Sequence, residues 1–253
     1  MCRHLLWLGQ PIRLSALLLD PPHSLLRQSW APRDMRGGGT INVDGFGVGW
    51  YRTDQDGPVR YRRDCPMWVD ENFARLSEVT SSRAVLAAVR SATVGMPLVE
   101  TASAPFTDGR WLFSLNGMVA GWPDSVLKLA ERLPVRDLLA MDAPSDAAFV
   151  WAVVRHRLRA GVAASEAVAE TVAELAGAAP GSRLNLLLTD GVTGVGNTLG
   201  HALSVRRDSE GVLICSEPLD SEPGWRVVPD GGLVTATGST VEISRLPIDR
   251  GAR

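Results

Sequence analysis

The sequence has 253 residues, of which 45% are hydrophobic and 21% are charged, as is ordinary for a soluble globular protein. The net charge of −2 argues against a nucleic-acid partner, because phosphate binding needs a basic surface. No apolar stretch reaches the roughly 20 residues that span a membrane, and no secretory signal is recognisable. We therefore expect a cytoplasmic protein with no membrane partner.

The cysteines and histidines are spread widely along the chain. Cys2, Cys65 and Cys215 are odd in number and far apart, which excludes a disulfide framework and a CxxC redox pair. The histidines are His4, His23, His156 and His201. They match no close metal-binding spacing, and no glycine-rich dinucleotide motif follows a predicted strand. We expect no metal and no cofactor, and we interpret Cys65 and Cys215 as small core residues.

The first half of the chain is predicted to consist mainly of strands. They are predicted over residues 2–8, 46–52, 59–62, 84–89 and 111–115. Two short helical pieces are expected within residues 14–30, and a flexible loop at the three glycines 37–39. A helix is predicted over residues 71–79, with Asp70 as its N-cap.

The second half changes from helices to strands. Helices are predicted over residues 123–132, 145–158 and 163–176, the last one ended by Gly177. Strands are predicted over residues 184–188, 202–205, 212–215, 226–228, 233–235 and 241–244. Strands, then helices, then strands indicate an α+β fold with antiparallel pairing. We predict a single domain over residues 1–253.

Cys2 directly follows the initiator methionine. Removal of Met1 would leave a free α-amino group on the residue that carries the thiol. The amine titrates at roughly 7.7–8.0 and the thiol near 8.5, so the two groups can exchange a proton close to neutral pH. A nucleophile paired with an N-terminal amine as its base is a recurrent arrangement in covalent catalysis. The alternative is an accidental cysteine without function.

Further polar residues stand at the ends of predicted elements. Arg90 and Thr93 follow one predicted strand, and Asn116-Gly117 ends another. Asp146 lies at the start of a predicted helix. Each has an ordinary structural explanation: a surface residue for Arg90, a tight turn for Asn116-Gly117, and a partner of the helix dipole for Asp146.

Taken together, these residue types fit the hydrolysis of an amide by a thiolate. An asparagine amide and the following glycine N–H can donate to a tetrahedral oxyanion. An arginine can bind a carboxylate through two parallel hydrogen bonds, and an aspartate can bind an ammonium. A carboxylate and an ammonium on one small skeleton form the head of an α-amino acid. We therefore predict a small-molecule substrate, a γ-glutamyl amide whose side-chain carbonyl faces Cys2.

The order of these motifs resembles that of the class II glutamine amidotransferases. The motifs are Cys2, Val-Arg-Ser-Ala-Thr at 89–93, Leu-Asn-Gly at 115–117 and Ser-Asp at 145–146. The resemblance implies an N-terminal-nucleophile hydrolase with a four-layer αββα sandwich. It implies that Cys2 is the nucleophile and that Asn116 and Gly117 form the oxyanion hole. It also implies binding of the substrate carboxylate by Arg90, Ser91 and Thr93, and of its ammonium by Asp146. Leu115 stands where the family often has histidine.

Further stretches resemble the stand-alone amidohydrolases of ergothioneine biosynthesis. These stretches are residues 28–32, 44–51, 104–109, 184–191 and 216–220. The resemblance implies hydrolysis of γ-glutamyl-hercynylcysteine sulfoxide to glutamate and hercynylcysteine sulfoxide. A free-standing hydrolase fits a length that one sandwich takes up entirely. A glutaminase subunit supplying ammonia to a separate synthase, and a non-catalytic binding protein, remain the alternatives.

The chain contains eight tryptophans. Trp30, Trp50, Trp111 and Trp122 lie near the site motifs in the sequence. Aromatic faces attract quaternary ammonium ions, so one of these residues could bind the trimethylammonium of the implied substrate, and an acidic residue is the alternative. The interpretation favoured for each single tryptophan is that it fills the core between the two sheets.

Overall fold

The structure is a computed structural model, which describes residues 2–34, 36 and 41–248. The predicted loop at residues 37–39 lies outside the described residues. The strands are β1 (Arg3–Arg13), β2 (Phe46–Tyr51), β3 (Pro58–Arg63), β4 (Ser81–Val89), β5 (Phe106–Asp108), β6 (Trp111–Met118), β7 (Arg183–Thr189), β8 (Thr193–Asn197), β9 (Ser204–Arg207), β10 (Gly211–Cys215), β11 (Arg226–Val227), β12 (Gly232–Thr237) and β13 (Val241–Arg245). The α-helices are α1 (Leu14–Leu18), α2 (Leu25–Gln28), α3 (Glu71–Val79), α4 (Leu127–Ala130), α5 (Val135–Leu139), α6 (Asp146–Arg159) and α7 (Ala164–Ala178).

Within the described ranges the strands form two antiparallel sheets. The first has seven strands in the order β11-β9-β10-β1-β4-β2-β3, and the second has six in the order β13-β12-β8-β7-β6-β5. The N-terminal strand β1 lies in the middle of the first sheet, between β10 and β4. Cys2, which precedes β1, therefore lies at the end of a central strand and not on an outer strand of the sheet.

Alternation of side chains along the strands produces three apolar layers. In β1, Leu5 and Trp7 pack under helices α1–α3, whereas Leu6 and Leu8 point at the second sheet. In β6, Leu112 faces the first sheet, whereas Phe113 packs under helices α6 and α7. Because successive residues of a strand point to opposite faces, each sheet has apolar side chains on both of its faces. One face packs against helices and the other against the opposite sheet. The result is the predicted α+β fold, a four-layer αββα sandwich.

Three elements were not predicted from the sequence: β5, β8 and α5. Strand β8 contains Gly194 and Gly196, and glycine ordinarily weakens a strand. A Cβ atom at Gly194 would lie 2.6 Å from Cδ2 of Leu6 in the other sheet. The glycines are therefore required where the two sheets approach each other, a constraint that exists only in the folded protein.

Other predicted boundaries are also wrong. The helix predicted over 123–132 is a 3₁₀ turn at Asp124–Val126 followed by the short α4. Helix α7 continues through Gly177 and ends at Ala178, so this glycine does not end the helix as predicted. The strand predicted over 202–205 is β9, which begins only at Ser204.

The tryptophans do not fill the space between the sheets. Trp7 and Trp50 are buried in the layer between the first sheet and its helices, and Trp151 is buried in α6. The layer between the sheets is instead made mainly of leucine, valine, isoleucine and alanine. Cys215 is buried as predicted, whereas Cys65 is only half-buried. None of the described helices is long and apolar enough to cross a membrane.

Candidate active site

Cys2 lies where the ends of three strands meet. Arg3 of β1 pairs with Val89 of β4, which brings Cys2 beside the residues that follow β4. The Cys2 Sγ atom is 3.6 Å from the carbonyl oxygen of Ser91. A small cavity, of about 30 Å³, opens at this point, and its lining residues are Cys2, Arg90, Ser91, Ala92, Thr93, Met96, Leu115, Gly117, Ser145, Asp146 and Ala147. The predicted site residues thus line one cavity, except Asn116.

Asn116 and Gly117 do not form a tight turn but continue strand β6. They pair with Asn185 and Leu184 of β7. Gly117 has a φ of +154°, and a Cβ there would lie 1.8 Å from the carbonyl oxygen of Arg183. Only glycine fits this position, and its lack of a side chain leaves the backbone beside Cys2 open.

The side chain of Asn116 is fully buried between the sheets. Its Nδ2 donates to the Ser216 hydroxyl at 3.3 Å, which uses one of the two amide hydrogens. The Ser216 Oγ also accepts from the backbone N–H of His4 at 3.0 Å. The His4 Nδ1 in turn lies 3.1 Å from the Ser114 Oγ, and burial lowers the pKa of His4 to about 3. A neutral, buried network therefore fixes the orientation of the Asn116 amide.

Arg90 is buried rather than on the surface, with 9% of its area exposed. Its backbone N–H donates to the Gly45 carbonyl at 2.8 Å. Its guanidinium donates to the carbonyl oxygens of Pro97 at 2.9 Å and Asp44 at 3.4 Å. A guanidinium has five N–H donors, so donors remain for a ligand.

Asp44 holds the loop that carries Ser91 and Thr93 in place. The Asp44 Oδ2 accepts from the Ala92 N–H at 2.7 Å. Ser91 is half-buried and Thr93 is exposed, and both line the cavity beside Arg90. The loop is therefore attached to the end of β4 with its polar groups at the cavity wall.

Asp146 is buried at the N-terminus of α6. Ser145 caps the helix by accepting from the Ala148 N–H at 3.3 Å. The Asp146 carboxylate accepts from the N–H groups of Val119 at 3.0 Å and Ala147 at 2.8 Å. Burial raises the pKa of Asp146 above its usual range, although these donors and the nearby Arg90 oppose the shift. A cation bound beside this buried carboxylate would be strongly favoured.

A second cavity, of about 270 Å³, opens on another side of Cys2. Its lining residues are Cys2, Ser91, Ala92, Thr93, Val94, Gly117, Arg183 and His201. A third, of about 310 Å³, contains Asp146 and Trp122, one of the four tryptophans noted near the motifs. A wider cleft of about 710 Å³ around Tyr51 and Asp190 contains none of the predicted site residues. The convergence of polar groups, rather than the volume of the cavity, therefore selects the candidate site.

Several residues that lie near the candidate site were assigned no role from the sequence. Asp44 and Ser216 lie in stretches that carried the resemblance, but no role was assigned to them. The nearest predicted site residue before Arg183 and His201 is Asp146, 37 and 55 residues earlier. Arg183 begins β7, and His201 lies in the loop between β8 and β9. No pattern along the chain links them to Cys2. Within the described ranges, no group of three or more His, Cys, Asp or Glu residues could hold a metal ion.

Comparison with known protein families shows to which family the chain belongs. The family described as class II glutamine amidotransferases matches residues 19–209. The chain belongs to this family, as its motifs predicted. A γ-glutamyl-hercynylcysteine sulfoxide hydrolase of Mycolicibacterium smegmatis is 42% identical over 247 residues, which cover 97% of this chain and all of the relative. The protein of the same name from Mycobacterium tuberculosis H37Rv is 39% identical, with full coverage of both chains.

Solved structures agree with the fold. A glutamine aminotransferase class-II domain protein from Silicibacter pomeroyi has a TM-score of 0.66 at 21% identity, covering 97% of this chain and 99% of that one. The glutamine phosphoribosylpyrophosphate amidotransferase of B. subtilis has a TM-score of 0.67 at 13% identity, covering 98% of this chain and half of that one. At such low identities the likeness concerns the fold alone.

Proposed function

We propose that the protein hydrolyses the γ-glutamyl amide bond of γ-glutamyl-hercynylcysteine sulfoxide, releasing glutamate and hercynylcysteine sulfoxide. The observation that carries this proposal is the presence of Cys2, Arg90 and Asp146 on one cavity. The chain is also 39–42% identical, along its whole length, to hydrolases of that name. A buried cation and a buried anion side by side complement the zwitterionic head of an α-amino acid.

Binding of the glutamyl head uses the charged groups of the first cavity. Arg90, with Ser91 and Thr93, binds the α-carboxylate, and Asp146 binds the α-ammonium. This arrangement directs the side-chain carbonyl of the ligand toward Cys2. Held in this way, the amide is positioned for attack without the entropy loss of a bimolecular encounter.

Catalysis requires that Met1 be removed first. The freed amine of Cys2 takes the thiol proton, and the thiolate attacks the carbonyl carbon. Asn116 Nδ2–H and the Gly117 N–H donate to the oxyanion, and one such donor typically contributes about 10²–10³ in kcat. The C–N bond then breaks as the amine of Cys2 returns its proton to the leaving nitrogen. Water, activated by the same amine, hydrolyses the thioester and releases glutamate with the free thiol.

The test uses purified protein with mass-spectrometric detection. Intact mass is expected to show loss of Met1, and γ-glutamyl-hercynylcysteine sulfoxide is expected to be cleaved with far higher kcat/KM than glutamine. Cys2→Ala should abolish turnover while the substrate still binds. Preference for glutamine without any partner would contradict the specific substrate and favour an ammonia-supplying subunit. Retained Met1 with binding but no turnover would favour a non-catalytic protein.

The remaining expectations from the sequence stay predictions. These are a single domain over residues 1–253, a cytoplasmic location and the lack of a nucleic-acid partner. Cell fractionation with an antibody against the chain tests the location.

A further inference from the structure

Two cavities meet at Cys2 and Gly117. Both are lined by these two residues and by the loop of residues 91–93. An amide attacked by Cys2 has an acyl half on one side of its carbonyl carbon and an amine half on the other. When the glutamyl head occupies the cavity with Arg90 and Asp146, the second cavity is available to the leaving group.

The second cavity has donors and positive charge but no acid. No aspartate or glutamate is among the residues that line it. The buried Nε of Arg183 has no hydrogen-bond partner among the described residues. His201 is 1% exposed, and both of its ring nitrogens lack a partner within the same ranges. Because buried polar atoms without partners are unfavourable, these side chains point to a ligand that accepts hydrogen bonds.

The charge state of His201 agrees with this reading. Burial, and then the neighbouring Arg183, lowers the pKa of His201 to about 4. The ring is therefore neutral near pH 7 and offers one N–H donor. Together with the guanidinium it suits a carboxylate better than it suits a cation.

Contacts with the rest of the fold fix the positions of Arg183 and His201. The amide of the buried Asn185 makes four hydrogen bonds, of 2.8 to 3.3 Å, to the backbone of residues 199–202. A Cβ at Gly200 would lie 2.9 Å from the Arg183 Cγ, so the glycine lets the arginine stem pack against this loop. The Arg183 carbonyl is also the atom that excludes a side chain at Gly117. The subsite is thereby tied to the strand pair that carries the oxyanion hole.

We infer that Arg183 and His201 bind a carboxylate on the leaving group, so that the enzyme prefers γ-glutamyl amides whose amine half is an α-amino acid. This inference rests on the proposed function and specifies the amine half of its substrate. In such a compound the carboxylate is one carbon away from the scissile nitrogen, which places it next to Cys2 and Gly117. Glutamine releases ammonia and has nothing to place in this cavity.

The test uses two ligands that differ only in this carboxylate, γ-glutamylalanine and γ-glutamylethylamide. Their affinities for the Cys2→Ala protein are measured by calorimetry, and their kcat/KM values are measured with the unsubstituted enzyme. We expect the alanine compound to be favoured at least tenfold, or about 1.4 kcal/mol. Glutamate release, followed by mass spectrometry, gives the second readout.

Substitutions of Arg183 and His201 test whether these side chains cause the preference for the alanine compound. Arg183→Met keeps the stem that packs on Gly200, and His201→Leu removes both ring nitrogens; each is expected to reduce the ratio between the two ligands to less than threefold. His201→Gln keeps an N–H donor and should retain part of the ratio. Arg207→Met, at an exposed arginine of β9, is the matched control and should keep the full ratio.

Equal binding of the two ligands by the Cys2→Ala protein, or equal losses for both in the variants, would overturn the subsite. Binding of neither ligand at millimolar concentration also counts against it. A preference for the alanine compound without cleavage of any γ-glutamyl amide would contradict the proposed function and leave the subsite standing. Thermal melts identify a variant that does not fold, in which case the other variant and the unsubstituted protein decide.

Discussion

Gly117 is a position at which one missing side chain decides whether the site can exist. Gly117→Ala would drive a Cβ atom into the Arg183 carbonyl at a φ of +154°. We expect a loss of about 10²–10³ in kcat, because the N–H next to Cys2 must move. We also expect a loss of about 1–3 kcal/mol in the free energy of unfolding.

The control for this substitution is Gly161→Ala. Gly161 also has a positive φ, +85°, but a Cβ there meets nothing within 4 Å. It follows the C-terminal end of α6, whereas Asp146 begins that helix. The control should lose some stability and keep its kcat. Wild-type kcat in Gly117→Ala would contradict the oxyanion role.

Arg90 tests the binding of the amino-acid head. Lysine cannot reproduce two parallel hydrogen bonds to a carboxylate, and a lost partner of a desolvated charge pair costs about 2–5 kcal/mol. Arg90→Lys should therefore lower kcat/KM by roughly 30- to several thousand-fold. Arg83→Lys, at an exposed position of β4, the strand that Arg90 follows, is the control.

Two further measurements separate binding from folding in this variant. Thermal melting reports folding, and alkylation of Cys2 by iodoacetamide should proceed at nearly the wild-type rate because the thiol itself is unchanged. A folded Arg90→Lys protein with wild-type kcat/KM would show that Arg90 does not bind the carboxylate.

The raised pKa of Asp146 predicts that binding of a γ-glutamyl ligand depends on pH. Its pKa is raised, mainly by burial, so it takes up a proton at a higher pH than an ordinary aspartate. Only the ionised carboxylate pairs with an ammonium, so affinity is present above this pKa and is lost as the pH falls through it. Calorimetry with the Cys2→Ala protein and a γ-glutamyl ligand should show this acid limb. Adding Asp146→Asn should weaken binding and remove the limb; an unchanged limb would assign it to another group.

At the scale of elements, the site depends on contacts between strands of different sheets. Ser216 follows β10 in the first sheet, and its hydroxyl meets Asn116 from β6 in the second. The same hydroxyl accepts from the backbone of His4 in β1. One serine thus connects the strand that follows Cys2, the proposed nucleophile, with the strand that carries Asn116 and Gly117, the proposed oxyanion hole.

Ser216→Ala is expected to act on the transition state more than on binding. Losing a hydrogen bond of about 0.5–1.5 kcal/mol should lower kcat roughly two- to tenfold with little change in KM, because Asn116 is no longer held in place. Ser77→Ala, at a buried serine of α3 that donates to the Ala74 carbonyl, removes a comparable hydroxyl far from this network. A rise in KM with an unchanged kcat would refute a positioning role for Ser216.

At the scale of the whole molecule, the two sheets must pack closely enough for their strand ends to form one site. Gly194→Ala would place a Cβ 2.6 Å from Leu6 Cδ2 and 3.0 Å from Leu8 Cδ1. These are side-chain atoms that can shift, so we expect a folded protein destabilised by about 1–3 kcal/mol. Denaturant unfolding measures the change. Gly177→Ala, in a helix with open space around it, should instead stabilise by about 0.5–1 kcal/mol. Equal effects of the two would argue against close packing at β8.

Much of the fold could be predicted because it follows from local patterns. Short, mostly apolar stretches indicate β1, β4 and β7, and Ser145 with Asp146 marks the start of α6. Strand β8 could not be predicted, since the lack of a side chain at Gly194 is favourable only because Leu6 and Leu8 of the other sheet lie close to it. The shift of β9 to Ser204 has a similar cause, because Asn185 holds residues 199–202 out of the strand.

The sequence by itself determined which residue types line the first cavity and was sufficient to predict a chemistry for them. A thiol at position 2, Arg90, Asn116-Gly117 and Asp146 are residue types that suit a γ-glutamyl amide, and their order along the chain resembles one family. Only the tertiary structure decided which other groups surround Cys2. Ser216, Arg183 and His201 reach the site through antiparallel pairing and sheet packing, which join residues 100 to 200 positions apart. Such contacts leave no periodic trace in the chain, because they depend on the register between strands and not on the spacing within one.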